Sequence, residues 1–278
     1  MPIEPREGDT DYPPKGEIHY ALFRGTQDFE IGKGVLKWEI SDDRYRLTLD
    51  AETTGAASLL LFFRYGSMRP VQFSMESVGR FGPSGFTPEQ YRTWKNGEER
   101  HRVEFHWESG ELKIDERPPV PLMTGSQDLL SQMFQFGYSV FPQSMAVSAR
   151  AGMGVWIATG RKYERIAFET PEARILDLSA AEPPSPAQQE GLLPFRNDTT
   201  AEQSPGAFDV LYLRASSDNF IEFWLAQDYL MLPLQIRIQL SDENETYELR
   251  ARELMIDDPD APEEPTTDSP ESPTPEQP

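Results

Sequence analysis

The sequence has no cysteine and only three histidines among its 278 residues. The absence of cysteine excludes disulfides, a thiolate nucleophile, thiolate zinc ligands and lipid attachment through an N-terminal cysteine. His101 and His106 are an odd number of residues apart, so on one strand they would point to opposite faces. We therefore expect neither a metal site nor a cofactor.

Basic residues are also few. Lys and Arg number 26 against 47 Asp and Glu, which gives a net charge of −21. Residues 257–278 contain eight of the acids and no base, which leaves −13 for the remainder. Because a field of this sign repels phosphate backbones, we expect no nucleic-acid partner. No stretch approaches the roughly 20 apolar residues of a spanning helix, so we predict no membrane span in this chain.

Proline and glycine are plentiful, at 25 and 19 residues, as is typical of a turn-rich β protein. Short runs of alternating apolar and polar residues predict antiparallel strands through most of the chain. They lie at 17–23, 35–40, 45–49, 72–78, 91–94, 102–107, 111–114, 154–158, 163–169, 174–178, 210–213, 220–225, 234–240 and 247–254. We expect a Gly/Pro loop at 79–85. The apolar residues 58–65 fit either a buried strand or a short helix.

One stretch, residues 124–141, has helical periodicity instead. Thr124 and Gln127 have the spacing of a capping box, and Pro142 should end the helix. A single helix with a broad apolar face, among so many strands, predicts a mainly β fold: a curved antiparallel sheet or incomplete barrel with one lid or plug helix. The apolar positions with helical spacing are Leu129, Leu130, Met133, Phe134, Gly137, Tyr138 and Phe141.

Asp128 supports two interpretations. In the first turn it would stabilise the positive end of the helix dipole, by about 0.5–1 kcal/mol. Alternatively, Asp128 and Gln127 reach back to sheet-edge backbone or to an arginine and fix the helix to the sheet. Neither interpretation makes Asp128 catalytic. The sequence also has neither a nucleophile elbow nor a phosphate-binding loop, so we assign no catalytic residue and expect a protein that is not an enzyme.

Composition divides the chain into three parts. Residues 1–15 are a Pro-rich arm that we expect to be flexible, and residues 16–256 form a single β-rich domain with a long loop at 181–206. Residues 257–278 form an acidic tail rich in Pro, Ser and Thr that we expect to be disordered.

Three blocks of sequence stand out: Tyr20 with GVLKW at 34–38, PLMTGSQDLLS at 121–131, and EFWLAQD at 222–228 with LPLQIR at 232–237. Together they resemble a proteobacterial envelope family known only as a domain of unknown function, DUF3108. The central block is the most specific, and its structural motif is Gly125, Gln127, Asp128 and Ser131.

The resemblance implies export to the periplasm. It also implies a half-barrel-like sheet similar to that of the lipoprotein carriers of the outer-membrane sorting system. The family supplies no catalytic residues to carry over. This chain departs from the family pattern in its acidic tail and in the lack of a targeting segment, so we expect an export signal to have been trimmed or to lie upstream.

Two functional hypotheses follow. In the first, the protein is a non-enzymatic periplasmic protein that binds a lipid, an acyl chain or a lipidated partner in an apolar groove under the helix. In the alternative, it is an envelope interaction or assembly protein with a packed interior, without a small-molecule ligand, that recruits an envelope protein partner. The candidates for lining the groove are Leu130, Met133, Phe134, Tyr138, Phe141, Trp38 and Trp224.

Overall fold

A computed structural model describes residues 12–24, 30–53, 70–140, 153–178, 206–215, 221–240 and 245–256, which form sixteen strands and one helix. Strands β1 to β8 are Lys15–Arg24, Glu30–Ser41, Arg44–Thr53, Gln72–Gly82, Gly85–Lys95, Glu98–His106, Glu111–Ile114 and Val120–Pro121. Strand β9 is Gln127–Asp128, and helix α1 is Leu129–Val140. Strands β10 to β16 are Met153–Ala158, Tyr163–Phe168, Glu172–Asp177, Ala207–Arg214, Ile221–Ala226, Leu232–Leu240 and Glu245–Ile256.

Thirteen strands form one antiparallel sheet in the order β12-β13-β14-β15-β16-β1-β2-β3-β4-β5-β6-β7-β8, and β11-β10-β9 form a second, small sheet. In the middle of the large sheet, Ile18 of β1 lies opposite Leu254 of β16 on one side and Leu36 of β2 on the other. Within the described residues the large sheet ends at β12 and β8 and does not close. The predicted fold, a curved antiparallel sheet with one helix, is confirmed.

Helix α1 lies inside the curve of the large sheet. It contacts β3, β4 and β5 on one side and β15 on the other. Gln132 and Phe136, which are not on the predicted apolar face, are only 2% and 1% exposed. Phe136 packs against Phe168 and Phe223, with ring centroids 5.0 and 5.8 Å apart. Because residues on opposite sides of the helix are buried, it is a plug and not a lid.

The helix begins at Leu129, five residues after the predicted start at Thr124. Gly125 has a positive φ of 74°, so it cannot be part of a right-handed helix. Gln127 and Asp128 then pair in parallel with the end of β10. Because strand pairing holds these two residues extended, the predicted capping box of Thr124 and Gln127 does not form.

The predicted loop at 79–85 is mostly strand. Strand β4 continues to Gly82, β5 begins at Gly85, and Phe81 lies opposite Phe86. A Cβ atom at Gly79 would lie 2.2 Å from the carbonyl oxygen of Thr87, so this glycine allows close approach of two strands. Pro88 lies at the register shift beside Gly79 and outside the part of β5 that pairs with β6, where a missing N–H is tolerated.

The end of the predicted N-terminal arm lies against the sheet. The carbonyl of Pro13 accepts a hydrogen bond from Trp38 Nε1 at 3.0 Å, and that of Pro14 accepts one from the Ile40 N–H at 2.6 Å. Other predictions fall outside the described residues. These are residues 1–11 of the arm, the apolar stretch 58–65, Phe141 and Pro142, nearly all of the 181–206 loop, and the 257–278 tail.

Candidate functional site

The first turn of α1 is held by Asp128, the last residue of β9. Its Oδ1 accepts hydrogen bonds from the N–H groups of Leu130 and Ser131, both at 2.9 Å. In return, Ser131 Oγ accepts the N–H of Asp128 at 3.0 Å. Asp128 is therefore the N-cap residue of the helix, with Ser131 as its reciprocal partner.

The same carboxylate joins the helix to the sheet. Asp128 Oδ2 accepts a hydrogen bond from Ser77 Oγ of β4 at 2.5 Å, and Ser77 is hydrogen-bonded to the Tyr45 hydroxyl of β3 at 3.0 Å. Burial raises the pKa of Asp128 to about 6, against the opposing effect of its donors Ser77, Ser131 and Leu130. With both oxygens occupied inside the protein, this carboxylate is a structural link between helix and sheet.

Two glutamines fix the helix to one residue of β5. Gln127 Nε2 donates to the Phe86 carbonyl at 2.9 Å, and Gln135 Oε1 accepts the Phe86 N–H at 2.7 Å. Gln135 also donates through Nε2 to the Ser84 carbonyl at 3.1 Å. The structure thus combines the two interpretations: Asp128 stabilises the helix terminus, and both residues also reach the sheet. Gln127 binds the backbone of β5, whereas Asp128 binds the Ser77 hydroxyl and not an arginine.

Aromatic rings fill the space between α1 and the sheet. Phe134 lies 5.8 Å from Trp38 and 5.7 Å from Phe86 between ring centroids. Tyr12, from the chain before β1, lies 5.8 Å from Phe134 and 5.9 Å from Phe86. The Tyr12 hydroxyl is buried and has no hydrogen-bond partner within the described residues. Nothing in the sequence pattern singled out Tyr12, because it precedes the first strand.

Six of the seven predicted groove residues fall into three groups. Leu130, Met133, Phe134 and Trp38 are each 0% exposed and lie in the interior around the helix. Tyr138 is half-buried and contacts Phe81 at the end of this region. Phe141 lies outside the described residues.

The structure does not bring Trp224 to this interior. Its neighbour Phe223 contacts the helix, and successive side chains of a strand point to opposite faces. Trp224 packs against Tyr212, 5.0 Å away between ring centroids, and the Arg237 guanidinium lies 5.2 Å from its ring. It therefore belongs to the outer face of the sheet.

That outer face carries two buried carboxylates, Glu222 at 4% and Glu248 at 3% exposed. Arg237 bridges them, with Nη1 3.0 Å from Glu222 and Nε 2.7 Å from Glu248. Gln235 Nε2 donates to Glu248 at 2.9 Å, and the Tyr212 hydroxyl donates to Glu222. These contacts join β13 to β16. The sequence pattern did not predict these contacts, because Glu222 lies within an apolar run.

A groove, which we call the edge groove, lies between the β7–β8 edge of the large sheet and the β10–β11 hairpin, with a volume of about 450 Å³. Val120 and Met123 in its wall are 40% and 43% exposed. The groove is lined by Leu112, Ile114, Arg117, Pro118, Val120, Pro121, Met123, Trp156, Lys162 and Tyr163. A shallower, polar depression of about 410 Å³ lies on β3 to β5 and is lined by residues that include Arg46, Asp50, Glu76 and Arg92. No residue of α1 lines either one.

The architecture defines a class of mainly β proteins in which a large, curved antiparallel sheet packs around one helix. Residues 16–153, from β1 through the helix to the start of β10, match the family described as "Protein of unknown function (DUF3108)". No curated protein matches the chain. Among the described residues, no helix is both long and apolar enough to cross a membrane.

Proposed function

We propose that this chain is a non-enzymatic interaction or assembly protein of the cell envelope, with a packed interior and its recognition surfaces on the outside. The observation that carries the proposal is the filling of the space under α1. Leu130, Met133 and Phe134 are each 0% exposed, and the rings of Trp38 and Tyr12 occupy the volume that an acyl chain would need. Close packing of this kind is what a hydrophobic core requires.

The buried polar groups support a structural role in place of catalysis. Asp128 has its oxygens occupied by Ser77, Leu130 and Ser131. Glu222 and Glu248 are paired with Arg237. A general acid or base must be able to hydrogen-bond to a substrate. The oxygens of these three carboxylates are already bonded to neighbouring residues of the protein. We further propose the periplasm as its location, which the resemblance to envelope proteins supports.

Replacing Phe134 by alanine tests the packed interior. In a packed core the substitution should lower the free energy of unfolding by about 3–5 kcal/mol, measured by urea unfolding of delipidated protein. Tyr138→Ala is the matched control, since Tyr138 lies on the same helix but is half-buried and should cost less. Native mass spectrometry of freshly purified wild type should show no lipid whose binding depends on Phe134, that is, none that is present in wild type and lost in Phe134→Ala. A loss below about 2 kcal/mol, together with co-purifying lipid that disappears in Phe134→Ala, would overturn the proposal.

The second candidate function is binding of a lipid or acyl chain under the helix, and Tyr12 is the observation that favours it. A buried hydroxyl without a partner is unfavourable, and Tyr12 comes from a segment before β1 that could be displaced without breaking the sheet. The same assays on Tyr12→Ala separate the two functions. Uptake of lipid or hydrophobic dye by this variant, abolished by adding Phe134→Asp, would support a groove that Tyr12 closes. Destabilisation of Tyr12→Ala without uptake of lipid or dye would show that Tyr12 is a structural residue of the packed interior.

A further inference from the structure

We propose that the edge groove binds an anionic amphiphile, that is, an apolar chain that ends in a negatively charged group. This goes beyond the proposed function, because it places a small-molecule site on the surface, away from the helix. A volume of about 450 Å³ is within the usual range of small-molecule sites.

One wall of the edge groove has apolar side chains that are exposed to solvent. Three large hydrophobic side chains are exposed in the described part of the chain, and two of them, Val120 and Met123, line this groove. Leu112 and Ile114 lie beside them in β7. Leu112 and Ile114 are already buried, at 0% and 7% exposed, so the apolar surface that an alkyl chain would remove from water is that of Val120 and Met123.

The opposite wall is held in place by hydrogen bonds. The Tyr163 hydroxyl accepts the Met123 N–H at 2.9 Å and is hydrogen-bonded to Ser126 Oγ at 2.5 Å. The Trp156 ring lies 5.1 Å from the Tyr163 ring. These contacts tie the small sheet to the segment after β8, so the groove exists before any ligand binds. A preformed site loses less entropy on binding.

The charge at the groove is opposite to that of the protein. The chain carries −21 overall, yet the groove is lined by Arg117 and Lys162 and by no acidic residue. Arg117 Nη1 donates to the Arg161 carbonyl at 2.7 Å, which leaves its other donors for a ligand. Within the described residues no carboxylate pairs with the Lys162 ammonium. An anionic head group is the complement of these two cations.

The edge strand itself argues against an extended peptide as the occupant. Pro118, Pro119 and Pro121 surround Val120 in and before β8. Proline has no N–H to donate, so this edge is poorly suited to the addition of another strand. Recognition must therefore come from side chains, and this suits a ligand without a peptide backbone.

Titration calorimetry with a matched set of ten-carbon probes below their micelle concentrations tests the proposal. Decanoate and decyl phosphate should bind at one site, decanol should bind more weakly, and decyltrimethylammonium should not bind. The two anions distinguish a carboxylate from a phosphate head group. Equal binding of decanoate and decanol, or preference for the cation, would overturn the proposal.

Charge-removing variants locate the site. Arg117→Gln and Lys162→Gln should each weaken decanoate binding by about tenfold and leave decanol unchanged. Lys95→Gln is the control, because Lys95 is exposed at the end of β5 and does not line the groove. If Lys95→Gln had the same effect, or if the two groove variants had none, the anion would bind elsewhere. None of these outcomes alters the unfolding free energies that test the packed interior.

Discussion

Replacing Asp128 by asparagine should remove a pH-dependent component of stability. The Asp128 carboxyl is buried beneath the helix terminus, and burial raises its pKa to about 6 from an ordinary value of 3.8. Asparagine can keep the local hydrogen bonds: its Oδ1 would still accept the Leu130 and Ser131 N–H groups, and its Nδ2 would donate to Ser77. The substitution therefore removes the titration and preserves the cap.

The sign follows from the raised pKa. Between pH 3.8 and 6 the folded protein holds a proton on Asp128 that the unfolded chain has lost, so stability falls as the pH rises. The stabilisation that comes from protonated Asp128 is fully present below the pKa of this residue in the unfolded chain, and it is lost once the pH passes about 6. The total change is about 3 kcal/mol, of which about 1 kcal/mol falls between pH 5 and pH 7.

Urea unfolding of wild type and Asp128→Asn at several pH values measures this difference directly, since titrations shared by both proteins cancel. The free energy of unfolding of Asp128→Asn, relative to that of wild type, should increase by about 1 kcal/mol between pH 5 and pH 7. Ser77→Ala, which removes a donor to the carboxylate, should move the transition to higher pH. A difference that stays constant, or that favours wild type as the pH rises, would mean that burial does not dominate the titration of Asp128.

Two further predictions concern packing and the tail. Gly137→Ala should lower the free energy of unfolding by about 1–3 kcal/mol, because a Cβ there would lie 2.6 Å from the Leu230 carbonyl oxygen; Gly82→Ala, with nothing within 4 Å of its Cβ, should be near neutral in the same urea measurement. Removing residues 257–278 should leave the thermal melting temperature unchanged, because this segment contains no large apolar side chain; a marked drop would show that it docks on the domain.

Strand patterns were the most predictable feature, because alternation reports directly which face of a strand is buried. Residues 45–49 and 247–254, for example, lie within β3 and β16. The glycines at 79 and 82 misled the prediction, since glycine marks both loops and close strand contacts. The start of the helix was missed because the strand pairing of Gln127 with Ile157 is a long-range contact that local spacing does not encode.

The candidate site was harder to predict than the fold. A helical pattern assigns an apolar face, but it does not say whether side chains or a ligand fill the space against it. Tyr12 fills part of that space from outside the predicted domain. The edge groove depends on the hydrogen bond between the Met123 N–H, after β8, and the Tyr163 hydroxyl of β11, which no local sequence pattern encodes. Both features arise from contacts between distant parts of the chain.

The pairing of β1 with β16 bears on how the chain acquires its structure during synthesis. One edge of β1 pairs with β2, which follows it closely in the chain. The other edge of β1 can pair only after residues 245–256, which form β16, have been synthesised. Until then β1 is an open edge in a nascent sheet that already contains the family-matched region, and unpaired edges attract other chains. Such late pairing slows folding. Until residues 245–256 pair with it, we expect β1 to be the edge at which premature association starts.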